Sequence, residues 1–218
     1  MALSASHDLL LVGRRAERLE TVAAGVRAGG GVADTLVWDV TSGDAPQMLA
    51  AAGHVDDFVL AAGLNSPRRT WSDQLMNEFR AVLDTNLLAV ADIITAALPS
   101  LRRTQGTVCI VSSVSAWTAS PGAGVAYRAS KMALRALTDA LSEQESQHGV
   151  RAGLVLPGDI DTEFLSHRPA PPAEQRRRSM LAPEDVARAV AFMVTSPPHV
   201  RIDELVITPV GSVERPTE

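Results

Sequence analysis

A single cysteine, Cys109, stands among the 218 residues of this chain. A lone thiol has no disulfide partner, and inside the apolar run Thr107 to Val111 it reads as a core residue on a buried strand. The five histidines are scattered at positions 7, 54, 148, 167 and 199, with no cysteine or carboxylate partner at ligand spacing, so no metal site is expected. An excess of basic charge is also missing. The net charge of -5 argues against a nucleic-acid partner, and the one basic cluster, Arg176 to Arg178, reads as a solvated loop. Met1 to Ser6 has neither a basic segment nor an apolar core, and no later stretch approaches membrane-spanning length. The expectation is a cytoplasmic protein without a membrane partner. No internal repeat or low-complexity segment divides residues 1–218, which predicts one domain.

Within that domain, apolar runs and helical spacings alternate. Short strands are predicted at Asp8 to Val12, Thr35 to Trp38, Val55 to Ala61, Gly106 to Ser112, Val150 to Leu156 and Glu204 to Thr208. Helices are predicted over Arg14 to Ala28, from an N-cap at Thr41 or Ser42 through Ala52, over Trp71 to Asn86 and Leu87 to Arg103 with at most a kink at Asn86, over Ala126 to His148, and from Pro183 to Ser196. Gly29 to Gly31 follow a helix and read as its C-cap and turn. The segment Glu163 to Met180, rich in proline and arginine, is too punctuated for a regular element and lies where a lid would lie. This rhythm predicts an α/β fold built on a doubly wound, mostly parallel, Rossmann-like sheet.

The stretch from Val111 to Lys131 carries the chemistry. It joins a strand end, two serines and a Gly/Pro loop to a helical run holding Tyr127, the only tyrosine, and Lys131. Their i to i+4 spacing puts the phenol and the ammonium on one helix face. Acid/base work at neutral pH needs the phenol shifted by roughly 3 units, about 4 kcal/mol, and the lysine is expected to supply part of that.

Ser113, Tyr127 and Lys131, with Asn86 upstream in Asp-Thr-Asn-Leu-Leu, resemble the catalytic set of the short-chain dehydrogenase/reductase family, and the resemblance extends from His7 to Pro209. It implies hydride transfer between nicotinamide and a small-molecule carbonyl or secondary alcohol. Tyr127 would be general acid/base, Ser113 would orient the oxygen, Lys131 would hold ribose hydroxyls, and Asn86 would support a water relay. It also implies cofactor contacts at Arg14, Asp39, Val40, Ala62, Gly63, Pro157, Gly158, Ile160 and Thr162. Arg14 would read a 2'-phosphate, which favours NADP over NAD. The Ala and Leu richness of Leu75 to Leu101 and Ala126 to Leu141 would serve pairing into a homodimer or homotetramer.

Two features depart from the family pattern. The usual Asn-Asn-Ala-Gly is Leu60-Ala61-Ala62-Gly63, and no Thr-Gly-x-x-x-Gly-x-Gly occurs, as though the first strand, its glycine loop and most of the following helix were absent. Without that strand, the Asp8 strand is expected to pair directly with the Val55 strand, or a segment of another chain to fill the slot, and dinucleotide affinity to be weak. The alternative reading is a non-catalytic relative that keeps the scaffold and interface but binds no dinucleotide.

Overall fold

The computed structural model describes residues 2–210, in which parallel strands alternate with helices. Strand β1 (Leu9–Gly13) leads through α1 (Ala16–Ala28) to β2 (Ala33–Val37), and α2 (Ala45–Ala52) leads to β3 (Phe58–Leu60). Helices α3 (Met76–Leu83) and α4 (Ala89–Thr104) precede β4 (Thr107–Val111), and α5 (Val125–Glu145) precedes β5 (Arg151–Pro157). A short α6 (Glu174–Arg177) and α7 (Pro183–Val194) complete the run to β6 (Glu204–Ile207). Every strand pairing is parallel.

The sheet is split. One part is the pair β1-β2 and the other is the ladder β3-β4-β5-β6. The expected direct pairing of the Asp8 and Val55 strands is therefore not made. Leu9 donates to the Val32 carbonyl, so strand alternation turns the Leu10 and Val12 amides toward the edge away from β2. β3, bonded on one side only, shrinks from the expected Val55 to Ala61 to three residues.

The central strands are buried on both faces, which is why they read as continuous apolar runs. Along β4 and β5, Val108, Ile110, Leu154 and Leu156 enter one core with Ile93, Ile94 and Leu101 of α4 and Leu134 of α5. Cys109 and Val155 point the other way, into a second core under Val190 and Met193 of α7, as expected of the thiol. A third, smaller cluster of Ala23, Val26 and Ala33 sits beneath the β1-β2 pair. Trp38 and Val40 carry β2 over to the first core, Leu3 reaches the second, and His7 Nε2 lies 3.4 Å from Asp57 Oδ2, so side chains join the two parts where no ladder does.

Several boundaries differ from the sequence reading. Asp44, not Thr41 or Ser42, precedes α2. Thr41 and Ser42 instead bond Asp39 in a turn. The continuous helical run Met76–Thr104 is, by length and composition, long and apolar enough to cross a membrane, contrary to expectation. It buries Val82, Val90, Ile93, Ile94, Ala97 and Leu101 in the protein, and Arg102 grips Glu145 of α5 through two 2.7 Å bonds. The expected kink at Asn86 is a π-turn over Asp84–Leu88. The segment after β5 holds two short helical elements, a 3-10 turn (Glu163–His167) and α6.

Candidate active site

All the loops that carry the site leave carboxyl ends of parallel strands, the place where an open α/β sheet presents ligand-binding groups. After β4, Ser113 is held extended, and its hydroxyl accepts from the Ser115 amide at 3.2 Å, capping a 3-10 turn (Val114–Ala116). The chain then returns through Gly124 into α5. Gly124 has φ +95, and a Cβ there would lie 3.1 Å from Arg69 Cγ, so both backbone and space demand glycine. One turn into α5 stand Tyr127 and Lys131. Tyr127 is half-buried, its ring centroid 6.0 Å from that of Phe164 in the 3-10 turn after β5. The Ser113 side chain lies close enough to the Tyr127 hydroxyl to pull on its titration.

Lys131 is 4% exposed. Its Nζ donates to the Val111 carbonyl at 2.9 Å and lies 5.8 Å from the Tyr127 ring centroid. Burial pushes its pKa down to about 8. An ammonium has three donors and this one has a single acceptor among the described residues, so two remain for a ligand's hydroxyls. Gly63 forms the floor there: a Cβ on it would lie 3.9 Å from Lys131 Nζ and 3.7 Å from Asn86 Oδ1.

Asn86 is fully buried in the π-turn. Its amide pairs with Leu64 as a second peptide would, accepting from Leu64 N at 2.7 Å and donating to Leu64 O at 2.9 Å. The remaining Nδ2 hydrogen goes to Ser130 Oγ at 3.0 Å, and Ser130 in turn donates to the Tyr127 carbonyl at 2.8 Å. Asn86 thus braces the Gly63 loop against the helix that carries Tyr127 and Lys131. Ser130 escaped the sequence reading. A serine inside a helix offers no signal by itself, and its partner lies 44 residues away.

The electrostatics around the phenol differ from expectation. Burial is the largest influence on Tyr127 and raises its pKa. The Ser113 hydrogen bond and the charges of Arg69 and Arg168 pull it back, while Asp159 pushes it further up. The sequence reading named Lys131 as the cation acting on the phenol, and Arg69 and Arg168 are two that it did not name. Neither arginine was singled out from the sequence, because each lies on a loop far along the chain from Tyr127.

The residues expected at the cofactor's adenosine end gather at the ends of β1 and β2. Arg14 Nη1 lies 3.6 Å from Asp39 Oδ2, both groups exposed, and Asp39 is held below the usual carboxylate range chiefly by the Thr41 amide. Val40 packs into the first core, and Ala62 is exposed beside Gly63. Beyond Pro157, the Gly158 amide bonds Ile207 O at 2.8 Å, and a Cβ there would meet Pro209 at 3.1 Å. Ile160 bridges to Leu181, and Thr162 precedes the 3-10 turn. Arg176, Arg177 and Arg178 are exposed, as expected of a solvated cluster, though α6 takes the place of the expected loop. Arg176 lies 3.7 Å from Asp159 and Arg177 2.6 Å from Asp161, which fastens α6 across this segment. Glu163 meets Arg18 of α1 at 2.6 Å.

A nicotinamide dinucleotide fits one end of this arrangement: the open donors of Lys131 and the bare floor at Gly63 suit a ribose. For a pyrophosphate, the described residues offer no glycine-rich turn from a strand into a helix. Gly29 and Gly31 bond back to α1 as a C-cap turn.

The sequence profile for short chain dehydrogenases matches residues 2–172. An uncharacterized oxidoreductase of Listeria monocytogenes is 31% identical over 216 residues, spanning 92% of this chain and 86% of that one. An alcohol dehydrogenase from the archaeon Thermococcus sibiricus, solved with 5-hydroxy-NADP, superposes with a TM-score of 0.84 at 28% identity, covering 100% of this chain and 92% of that one. A metagenomic short-chain oxidoreductase solved with NADP gives 0.78 at 27% identity, over 94% and 87%. Matched along most of its length in both sequence and fold, the chain belongs to the short chain dehydrogenase family.

Proposed function

We propose that this chain is an NADP-dependent oxidoreductase that interconverts a carbonyl compound and a secondary alcohol, with Tyr127 as general acid/base. The observation that carries the reading is the meeting of Ser113, Tyr127 and Lys131 at the carboxyl ends of β3, β4 and β5. The dinucleotide supplies or accepts the hydride. The chain's part is to hold the oxygen and move its proton. Ser113 is placed to donate to a carbonyl oxygen, and Tyr127 stays protonated at neutral pH because burial raises its pKa, which suits the donation that completes a reduction. In the oxidative direction the same phenol must first be ionised, and Arg69 and Arg168 are the charges that favour it. Lys131 offers its two open donors to ribose hydroxyls, and Asn86 keeps that helix in register with the Gly63 loop.

NADP rather than NAD follows from Arg14. Its pairing with Asp39 is long and solvent-exposed, so exchanging that partner for a 2'-phosphate costs little. Solved relatives that carry NADP or an NADP analogue support this choice. Because the described residues offer no glycine-rich turn for a pyrophosphate, the affinity of this chain for dinucleotide is weak, and assays require high cofactor concentrations. With NADPH and a panel of ketones, Tyr127→Phe should lower kcat/KM by about 10³-fold and leave NADPH binding within about twofold. Turnover undiminished in that variant would refute the assignment.

A further inference from the structure

Ahead of β1 and β3, at the end of the sheet opposite the candidate active site, three side chains stand in line. Ser6 Oγ lies 2.8 Å from His7 Nδ1, and His7 Nε2 lies 3.4 Å from Asp57 Oδ2. We propose that Ser6 is a nucleophile with His7 as its general base, which gives this chain a second site that hydrolyses short, activated esters. The proposal goes beyond the oxidoreductase reading and does not depend on it.

The carboxylate decides the chemistry of the ring. Asp57 Oδ1 accepts from the Thr107 amide at 2.7 Å, which fixes the carboxylate against the start of β4 and leaves Oδ2 for His7. A carboxylate can only accept, so the neutral imidazole carries its proton on Nε2 and keeps Nδ1 as an acceptor. The Ser6 hydroxyl has a single hydrogen and two acceptors in reach, His7 Nδ1 at 2.8 Å and the Leu3 carbonyl at 3.3 Å, and the shorter contact takes it. Serine, base and orienting acid thus follow one another as in the acyl-transfer triads that recur on unrelated folds, with the two ring nitrogens exchanged. The 3.4 Å contact is long for a neutral ring and tightens once the ring is protonated and the pair becomes ionic.

Ser6 is exposed while His7 and Asp57 are half-buried, so the nucleophile is open and the groups behind it are held. A cavity of about 320 Å³ adjoins them, lined by Ser4, Ser6, His7, Asp8 and the turn from Gly30 to Val32. Ligand sites span roughly 300 to 1,000 Å³, so this one suits an acyl group of a few carbons. The amides of its wall are committed: those of Ser6 and His7 donate to the Leu3 carbonyl at 3.0 Å, and those of Gly30 and Gly31 to carbonyls of α1. They are closed to a developing oxyanion, which restricts the site to esters whose leaving group departs with little help, aryl esters above all. In the reaction the Ser6 oxygen bonds the acyl carbon as its proton passes to His7 Nδ1, and the bond to the leaving oxygen breaks as that proton moves on to it. Water then attacks the acyl-serine and returns a proton through His7 to Ser6, so that ester and water become acid and alcohol.

The test uses p-nitrophenyl acetate, with release of nitrophenolate as the readout, and a fluorophosphonate, with intact mass and the modified peptide as the readout. The wild-type chain should turn over the ester and carry a single phosphonyl group, on Ser6, and should lose both reactions on unfolding in urea. Ser6→Ala should abolish both, and because Ser6 is exposed that variant keeps the fold. His7→Gln should slow both by about 100-fold. Asp57 acts through His7 and is a positioning residue. Asp57→Asn retains an oxygen for the Thr107 amide, yet labelling should fall by about tenfold or more, and nitrogen NMR of the histidine rings should change from His7 protonated at Nε2 to a mixture of tautomers. A phosphonyl group on another residue, nitrophenolate release unchanged in Ser6→Ala, equal rates in wild type and His7→Gln, a His7 tautomer indifferent to Asp57→Asn, or no reaction at all overturns the proposal.

Discussion

Lys131 shows how far a single residue's behaviour departs from its sequence context. The i to i+4 spacing correctly places Tyr127 and Lys131 on one helix, and Ser113 at the strand end is legible for the same reason: these are short-range relations. What spacing cannot convey is depth. Lys131 is 4% exposed and titrates near 8, so its proton is worth less to the folded chain than to the unfolded one. Its folded pKa lies below the unfolded value of 10.5, which makes the charged form a destabilising presence below pH 8 that is relieved as pH rises from about 8 toward 10.5. The cysteine works in the opposite sense. Burial raises Cys109 from 9.0 to about 12, so the unfolded chain loses that proton first and stability falls as pH rises through 9. The informative window is pH 8 to 9, read as a difference between proteins that both keep Cys109. Relative to Lys131→Met, the wild type should gain about 1 kcal/mol of unfolding free energy across that interval in urea titrations. Parallel curves for the two proteins would mean that Lys131 is solvated.

At the scale of elements, the order of strands and helices was readable and their ends were less so. β4 and β5 are apolar beyond their first residues, Thr107 and Arg151, because both faces are covered, and α7 announces itself with Pro183, Glu184 and Asp185 at its start. The π-turn at Asp84–Leu88 was invisible, since its cause is tertiary: Asn86 is pulled into line with Leu64 and Ser130, which the chain brings near only after folding. Nor did composition alone reveal that the proline- and arginine-rich segment is strapped down by Asp159, Asp161 and the bridge from Ile160 to Leu181. The brace at Asn86 can be weighed. Asn86→Ala leaves both Leu64 backbone groups and Ser130 Oγ without their partner in a buried place, a loss of about 3 kcal/mol in unfolding free energy. It should also slow turnover through the displaced Gly63 loop. A loss below about 1 kcal/mol would show that water replaces the amide.

For the whole molecule, helices α3 to α5 present more apolar surface than the cores use. Met76 is 54% exposed, Leu88 53% and Met132 49%, all on the elements whose Ala and Leu content suggested pairing. We expect a dimer or tetramer at micromolar concentration in sedimentation velocity, and Met132→Glu should shift it toward monomer; a monomer throughout would count against this. The division into a two-strand and a four-strand sheet bears on handling as well. β1 turns the Leu10 and Val12 amides to an edge that no strand among the described residues occupies, and β3 is bonded on one side only. Its sequence, Leu-Leu-Leu-Val-Gly, carries none of the lysine, proline or inward charge that blunts such edges in other proteins. Each molecule therefore offers a template on which a neighbour can crystallise its own backbone. Loss of soluble protein on storage should climb steeply with concentration, and dilution should preserve it better than cold.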